Sequence, residues 1–81
     1  MTPALIQQRE DAALGAAWRR VEAASEALGG WLFHGLYPVG NGWRSSAWHA
    51  GLDAPIGRWS ADPTEALTAL AEALEAKRAA E

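Results

Sequence analysis

Cysteine is absent from this 81-residue chain, so disulfides and thiolate metal sites play no part in holding it together. Lysine occurs once, and the seven basic residues are outnumbered by ten acidic ones, for a net charge of −3. A surface that tracks nucleic-acid phosphates is normally rich in Lys and Arg, so this balance argues against general nucleic-acid binding. No apolar run reaches the ~18–20 residues of a membrane span. The first residues also lack the basic-then-apolar order of a secretion signal. The expectation is a soluble cytoplasmic protein. Paired carboxylates, a phosphate loop and a dinucleotide fingerprint are all missing, so no enzyme and no cofactor are expected.

Aromatic residues are concentrated in one stretch. Trp31 to Ser60 holds four of the five tryptophans, both histidines, the only Phe and the only Tyr. The flanks are Ala-rich with helical spacing. At this length one domain, residues 1–81, is expected. Such a chain buries only roughly 60–65% of the surface its unfolded form exposes. Large tryptophans then take the place of covalent staples, each able to bury roughly 150–250 Å².

The first helix is predicted over Met1–Leu28, with Thr2 as cap and Pro3 in the first turn. Leu14, Trp18, Val21 and Leu28 recur on one face, while Leu5, Ile6 and Ala13 do not continue that stripe. Gly29-Gly30 ends the helix. Trp31–Val39 and Trp43–Ala50 read as strands around the turn Gly40-Asn41-Gly42. Gly51 to Pro55 is a loop, and Ile56–Ser60 a short third strand. Asp62-Pro63-Thr64-Glu65 is a capping signature in which Glu65 would bond back to the cap backbone. Leu67, Leu70, Ala71 and Leu74 form the buried stripe of the helix that follows, with Lys77 and Arg78 near its negative end.

The fold class is therefore α+β, in the order α-β-β-β-α, with a three-stranded antiparallel sheet flanked by two helices. Both helices could cover one face, or one could lie on each side. A three-residue turn would put Trp31, Phe33, Tyr37, Val39, Trp43, Ala47 and His49 together, opposite Leu32, His34, Leu36, Arg44, Ser46 and Trp48. A two-residue turn moves the second strand's set to the other side and brings His34 and His49 opposite each other. In either register both faces keep large apolar groups, more than two short helix stripes need. Part of that surface is left exposed, or is buried by a partner.

Two imidazoles fall short of the three or four protein ligands zinc takes, so His34 and His49 read as ordinary sheet residues, with Asp53 the nearest carboxylate. Ser45 and Ser46 read as solvent-facing strand positions, because no nucleophile elbow surrounds them. Trp43-Arg44 and Arg58-Trp59 stand out. Arg beside Trp, twice, is the composition of an interface hot spot. The same pairs could stack on single-stranded bases, or the tryptophans could be core with the arginines reaching past them into water. The candidate partner-binding residues are Tyr37, Trp43, Arg44, Trp48, Arg58 and Trp59. The rival surface is acidic: Glu10, Asp11, Glu22 and Glu26 on the first helix, which would meet a partner's arginines.

The element order resembles that of the double-stranded-RNA-binding domain, but Pro63-Thr64-Glu65-Ala66-Leu67 stands where that family carries basic residues. The run Trp59 to Leu74 is similar to the strand-to-helix end of HicB-like antitoxins, which would imply a small regulatory subunit covering a toxin. The whole chain, tiny, acidic, cysteine-free and aromatic-rich, resembles the anti-CRISPR inhibitors of phages and mobile elements. That likeness implies a monomer or homodimer that binds a protein complex, a type I CRISPR surveillance complex, and blocks it.

Overall fold

The computed structural model describes residues 3–49, 51 and 55–80, with side chains from Ala12 onward. Pro3–Leu28 forms α1, Trp31–Val39 β1, Gly42–His49 β2, Ile56–Ser60 β3 and Pro63–Ala80 α2. The strands make one antiparallel sheet in the order β1-β2-β3, so the expected α-β-β-β-α architecture is what forms. The cap expected at Thr2, the strand end at Ala50 and the carboxylate of Asp53 lie outside the described residues, as do the side chains of Leu5, Ile6, Glu10 and Asp11.

Local chemistry explains the helix ends. Gly29 and Gly30 both take φ 74°, the left-handed region that side chains avoid, and the Gly29 N–H closes the last turn on Ser25 O at 3.2 Å. At the start of α2, Asp62 Oδ1 accepts from the Thr64 N–H at 2.8 Å, which satisfies one otherwise orphan donor. Glu65 does not bond to the cap backbone as expected. Its Oε2 accepts from the Ser60 hydroxyl at 2.9 Å, and Ser60 Oγ in turn accepts from the Asp62 N–H at 3.2 Å. A serine two residues before the cap relays the contact that Glu65 was expected to make itself.

Both helices lie on one face of the sheet and pack against each other. The core between them and the strands is Ala17, Val21 and Ala24 of α1, Leu67, Leu70, Ala71 and Leu74 of α2, and Trp31 and Ala47 of the sheet. Leu14, Leu28, Phe33, Leu36 and Ile56 pack around it. Each leucine buried in full contributes roughly 1.5–3 kcal/mol, so the three of α2 dominate. Trp18 of α1 meets Phe33 edge-on, ring centroids 4.6 Å apart. The two helices are also linked by Arg20, which donates to both carboxylate oxygens of Glu75 at 2.9 and 2.6 Å. Exposed pairs of this kind contribute little, because water screens them. The Arg20 hydrogen bond holds the Glu75 carboxyl below the usual carboxylate range. What the pair contributes is thus present above that range and fades as acid protonates Glu75.

The hairpin and one bulge decide which side chain faces which way. Val39 pairs with Gly42, so the turn has two residues, and Gly40 alone takes positive φ, 64°, as in a type II′ turn. The second strand therefore starts at Gly42, one residue earlier than expected. Pairing is interrupted between Phe33 and Gly35, where Gly35 takes φ 112°. His34 is the extra residue of this β-bulge. On the hairpin side of it, Leu36 faces the helices and Tyr37 and Val39 face away. Beyond it, Trp31 and Phe33 face the helices and Leu32 faces away. Neither uniform register describes the sheet, because the bulge switches β1 between the two.

Neither Ser45 nor Ser46 is exposed to solvent. Ser45 is fully buried and its hydroxyl donates to Ala66 O at 2.7 Å, tying β2 to the first turn of α2. Ser46 is only 3% exposed, beneath the Tyr37 hydroxyl. The histidines do not oppose each other either. His34 stacks on Trp48 (6.3 Å, 23°) on the side away from the helices, whereas His49 packs against Trp31 (5.3 Å) on the helix side.

Candidate functional site: the open face of the sheet

With both helices on one side, the other face of the sheet is left uncovered by any described element. Period-two alternation assigns its side chains once the bulge is counted. Leu32, His34, Tyr37 and Val39 come from β1, Arg44, Ser46 and Trp48 from β2, and Trp59 from β3. Leu32 is 59% exposed and Trp59 52%, and Tyr37 and Val39 are exposed as well. A large apolar and aromatic surface in water needs a reason.

The six expected contact residues divide. Tyr37, Arg44 and Trp59 form one row across the three strands, since Tyr37 pairs with Arg44 and Arg44 with Trp59. Trp48 stands further along the same face with His34 and Leu32. Trp43 and Arg58 do not belong to this surface. Trp43 pairs with Pro38 and Ser60, and Arg58 with Ser45, all on the helix side. The reason is elementary: neighbours on a strand point to opposite faces, so a Trp-Arg dipeptide cannot present both groups to one partner. The two dipeptides instead exchange members, and Arg44 of one meets Trp59 of the other. Leu32, His34 and Val39 were missed as members, although each stands an even number of residues from another open-face residue on its side of the bulge.

Small residues shape this surface. Ser46 and Gly57 pair across the middle of the sheet. Arg44 lies over Gly57, so a Cβ there would fall within 2.7 Å of its Cζ. Trp59 lies over Gly42, and its Nε1–H reaches past β2 to donate to Val39 O at 2.9 Å. Gly42→Ala is expected to displace this indole, because the new methyl would sit 2.6 Å from Ser60 O and closer still to the ring. The displacement is read as faster solvent exchange of the Trp59 indole proton. An unchanged exchange rate would mean that the ring does not depend on the glycine.

Among the described residues, carboxylates mark one side of the molecule only. The open face carries Arg44 and His34 and, among the described residues, no carboxylate. Glu22, Glu26, Glu72 and Glu75 lie on the helices. Such a face can stack, exclude water and form charge-assisted hydrogen bonds. The Ser45 hydroxyl is engaged by the backbone of α2, and His49 Nδ1 accepts from the Gly51 N–H at 2.9 Å. No helix among the described residues is long and apolar enough to cross a membrane.

No family model, curated protein or solved structure matches the chain.

Proposed function

We propose that this chain is a non-catalytic binding protein that covers a protein partner with the open face of its sheet. The observation that carries the reading is the row Tyr37–Arg44–Trp59 with Trp48 beside it, on a face no described element covers. Trp, Tyr and Arg are the residues that dominate interface energetics, and here they come pre-positioned on strands, with little rotamer freedom to lose. The positive charge of Arg44 and, among the described residues, the lack of a carboxylate on this face suit a neutral or acidic patch on the partner.

The finer identity of that partner rests on likeness in overall form. In that reading the chain is an anti-CRISPR-type inhibitor, and the partner is a subunit of a type I surveillance complex in the bacterial cytoplasm. The test is a binding and target-capture assay with purified surveillance complex. Expected is stoichiometric association and loss of DNA capture, with Trp48→Ala or Arg44→Glu weakening association by at least about 30-fold, the effect of removing a hot-spot residue. Failure of the unaltered protein to associate removes the CRISPR identity. Retained association in both variants removes the open face. Stoichiometric capture of a small co-expressed ribonuclease instead would make the HicB-like antitoxin reading the working one.

A further inference from the structure

The sheet has two edges, and they are not alike. The outer edge of β1 is broken by the bulge at His34 and Gly35 and by Pro38, which has no N–H to offer. Bulges and prolines are the usual devices that keep an edge from recruiting another strand. β3 has neither device: its five residues pair regularly with β2 and with nothing else described. Arg58 Nη1 donates to Gly57 O at 2.8 Å, so Gly57 directs its backbone groups outward. By alternation along an antiparallel ladder, Trp59 does the same.

Alongside this edge runs a groove of about 650 Å³ between β3 and α2. Arg44, Arg58 and Lys77 line it with Gly57, Ala73 and Ala76, and among the described residues every charged one in the lining is positive. This is unexpected in a chain of net charge −3. The acids of α2 sit elsewhere: Glu75 pairs with Arg20 toward α1, Glu72 acts on the same Arg20, and Glu65 bonds with Ser60 near the cap. Arg44 reaches the edge by lying across Gly57, and its Nε is buried without a hydrogen-bond partner among the described residues. The alanines of α2 leave room beside the strand.

We propose that the β3 edge and this groove form a second docking surface, which takes an extended, acidic protein segment as a fourth strand. Backbone groups of Gly57 and Trp59 would hold the segment, and its carboxylates would meet Arg44, Arg58 and Lys77. The surface does not depend on the open face, although Arg44 borders both.

The test uses the whole chain and a fluorescein-labelled peptide of alternating Glu and Val, with an alternating Lys and Val peptide and a single-stranded oligonucleotide as competing probes. Expected at low salt is saturable binding of the Glu peptide alone, with slowed amide exchange at Gly57 and Trp59. Arg58→Glu with Lys77→Glu should weaken it at least ten-fold, and the milder Arg58→Gln with Lys77→Gln at least three-fold, both in chains whose circular dichroism is unchanged. No binding of the Glu peptide overturns the proposal, as does equal binding of the Lys peptide or preference for the oligonucleotide. Loss on Trp48→Ala with retention in the Arg58 and Lys77 variants also overturns it, because the peptide would then be on the open face.

Discussion

Leu70→Ala is expected to lower stability by about 2–5 kcal/mol, the range for truncating a fully buried leucine, and to lower the melting temperature by roughly 8–40 °C. Leu67, Leu70 and Leu74 are the largest side chains buried in full, and between α1, α2 and the sheet few other groups could close over the void. A chain of this length has roughly 4–12 kcal/mol in total, so one methyl-lined cavity takes a large share of it. Leu32→Ala removes the same atoms from a residue that is 59% exposed, and should change the melting temperature by only a few degrees. Thermal melts by circular dichroism separate the two. Equal shifts would mean that the core is not where the structure puts it.

Gly35→Val is expected to destabilise by about 1–3 kcal/mol through backbone strain, since φ 112° is a conformation L side chains rarely adopt. Space is not the obstacle, as a Cβ there would lie 3.7 Å from the Trp18 ring. The strain arises because Phe33 and Leu36 both face the helices while standing three residues apart, and a regular strand allows only even spacings. The bulge absorbs the odd residue. Deleting His34 should therefore rescue Gly35→Val: Phe33 and Leu36 would then be two apart, the ladder would become regular, and position 35 would need no positive φ. Expected is recovery of most of the lost melting temperature in the combined variant. If the deletion adds to the damage, the odd spacing is not the source of the strain.

Much of the fold was legible because it rests on local chemistry. The glycine pair at 29–30, the Gly40-Asn41 turn and the Asp62-Pro63 start are backbone requirements written into single residues, and each marks an element boundary. The stripes Leu14–Trp18–Val21–Leu28 and Leu67–Leu70–Leu74 show which helix faces are buried: all but Trp18, which is 37% exposed, join the core or pack against it. The candidate site was legible in composition and not in arrangement. Tyr37, Arg44, Trp48 and Trp59 share the open face, while Trp43 and Arg58, chosen for their neighbours in sequence, lie on the other. Alternation alone excludes placing both members of each dipeptide on one surface.

By itself, then, the sequence determined the elements, their order and their antiparallel pairing, because caps, turns and periodicity act over a few residues. Only the tertiary structure decided that both helices cover the same face, that His34 is an extra residue in β1, and that Arg44 crosses Gly57 to the edge of β3. These depend on contacts between residues far apart in the chain: Trp31 and Phe33 reach the core only if the strand breaks step at Gly35. A one-residue change of step exchanges every side chain between core and solvent, and burial of the apolar set selects the step.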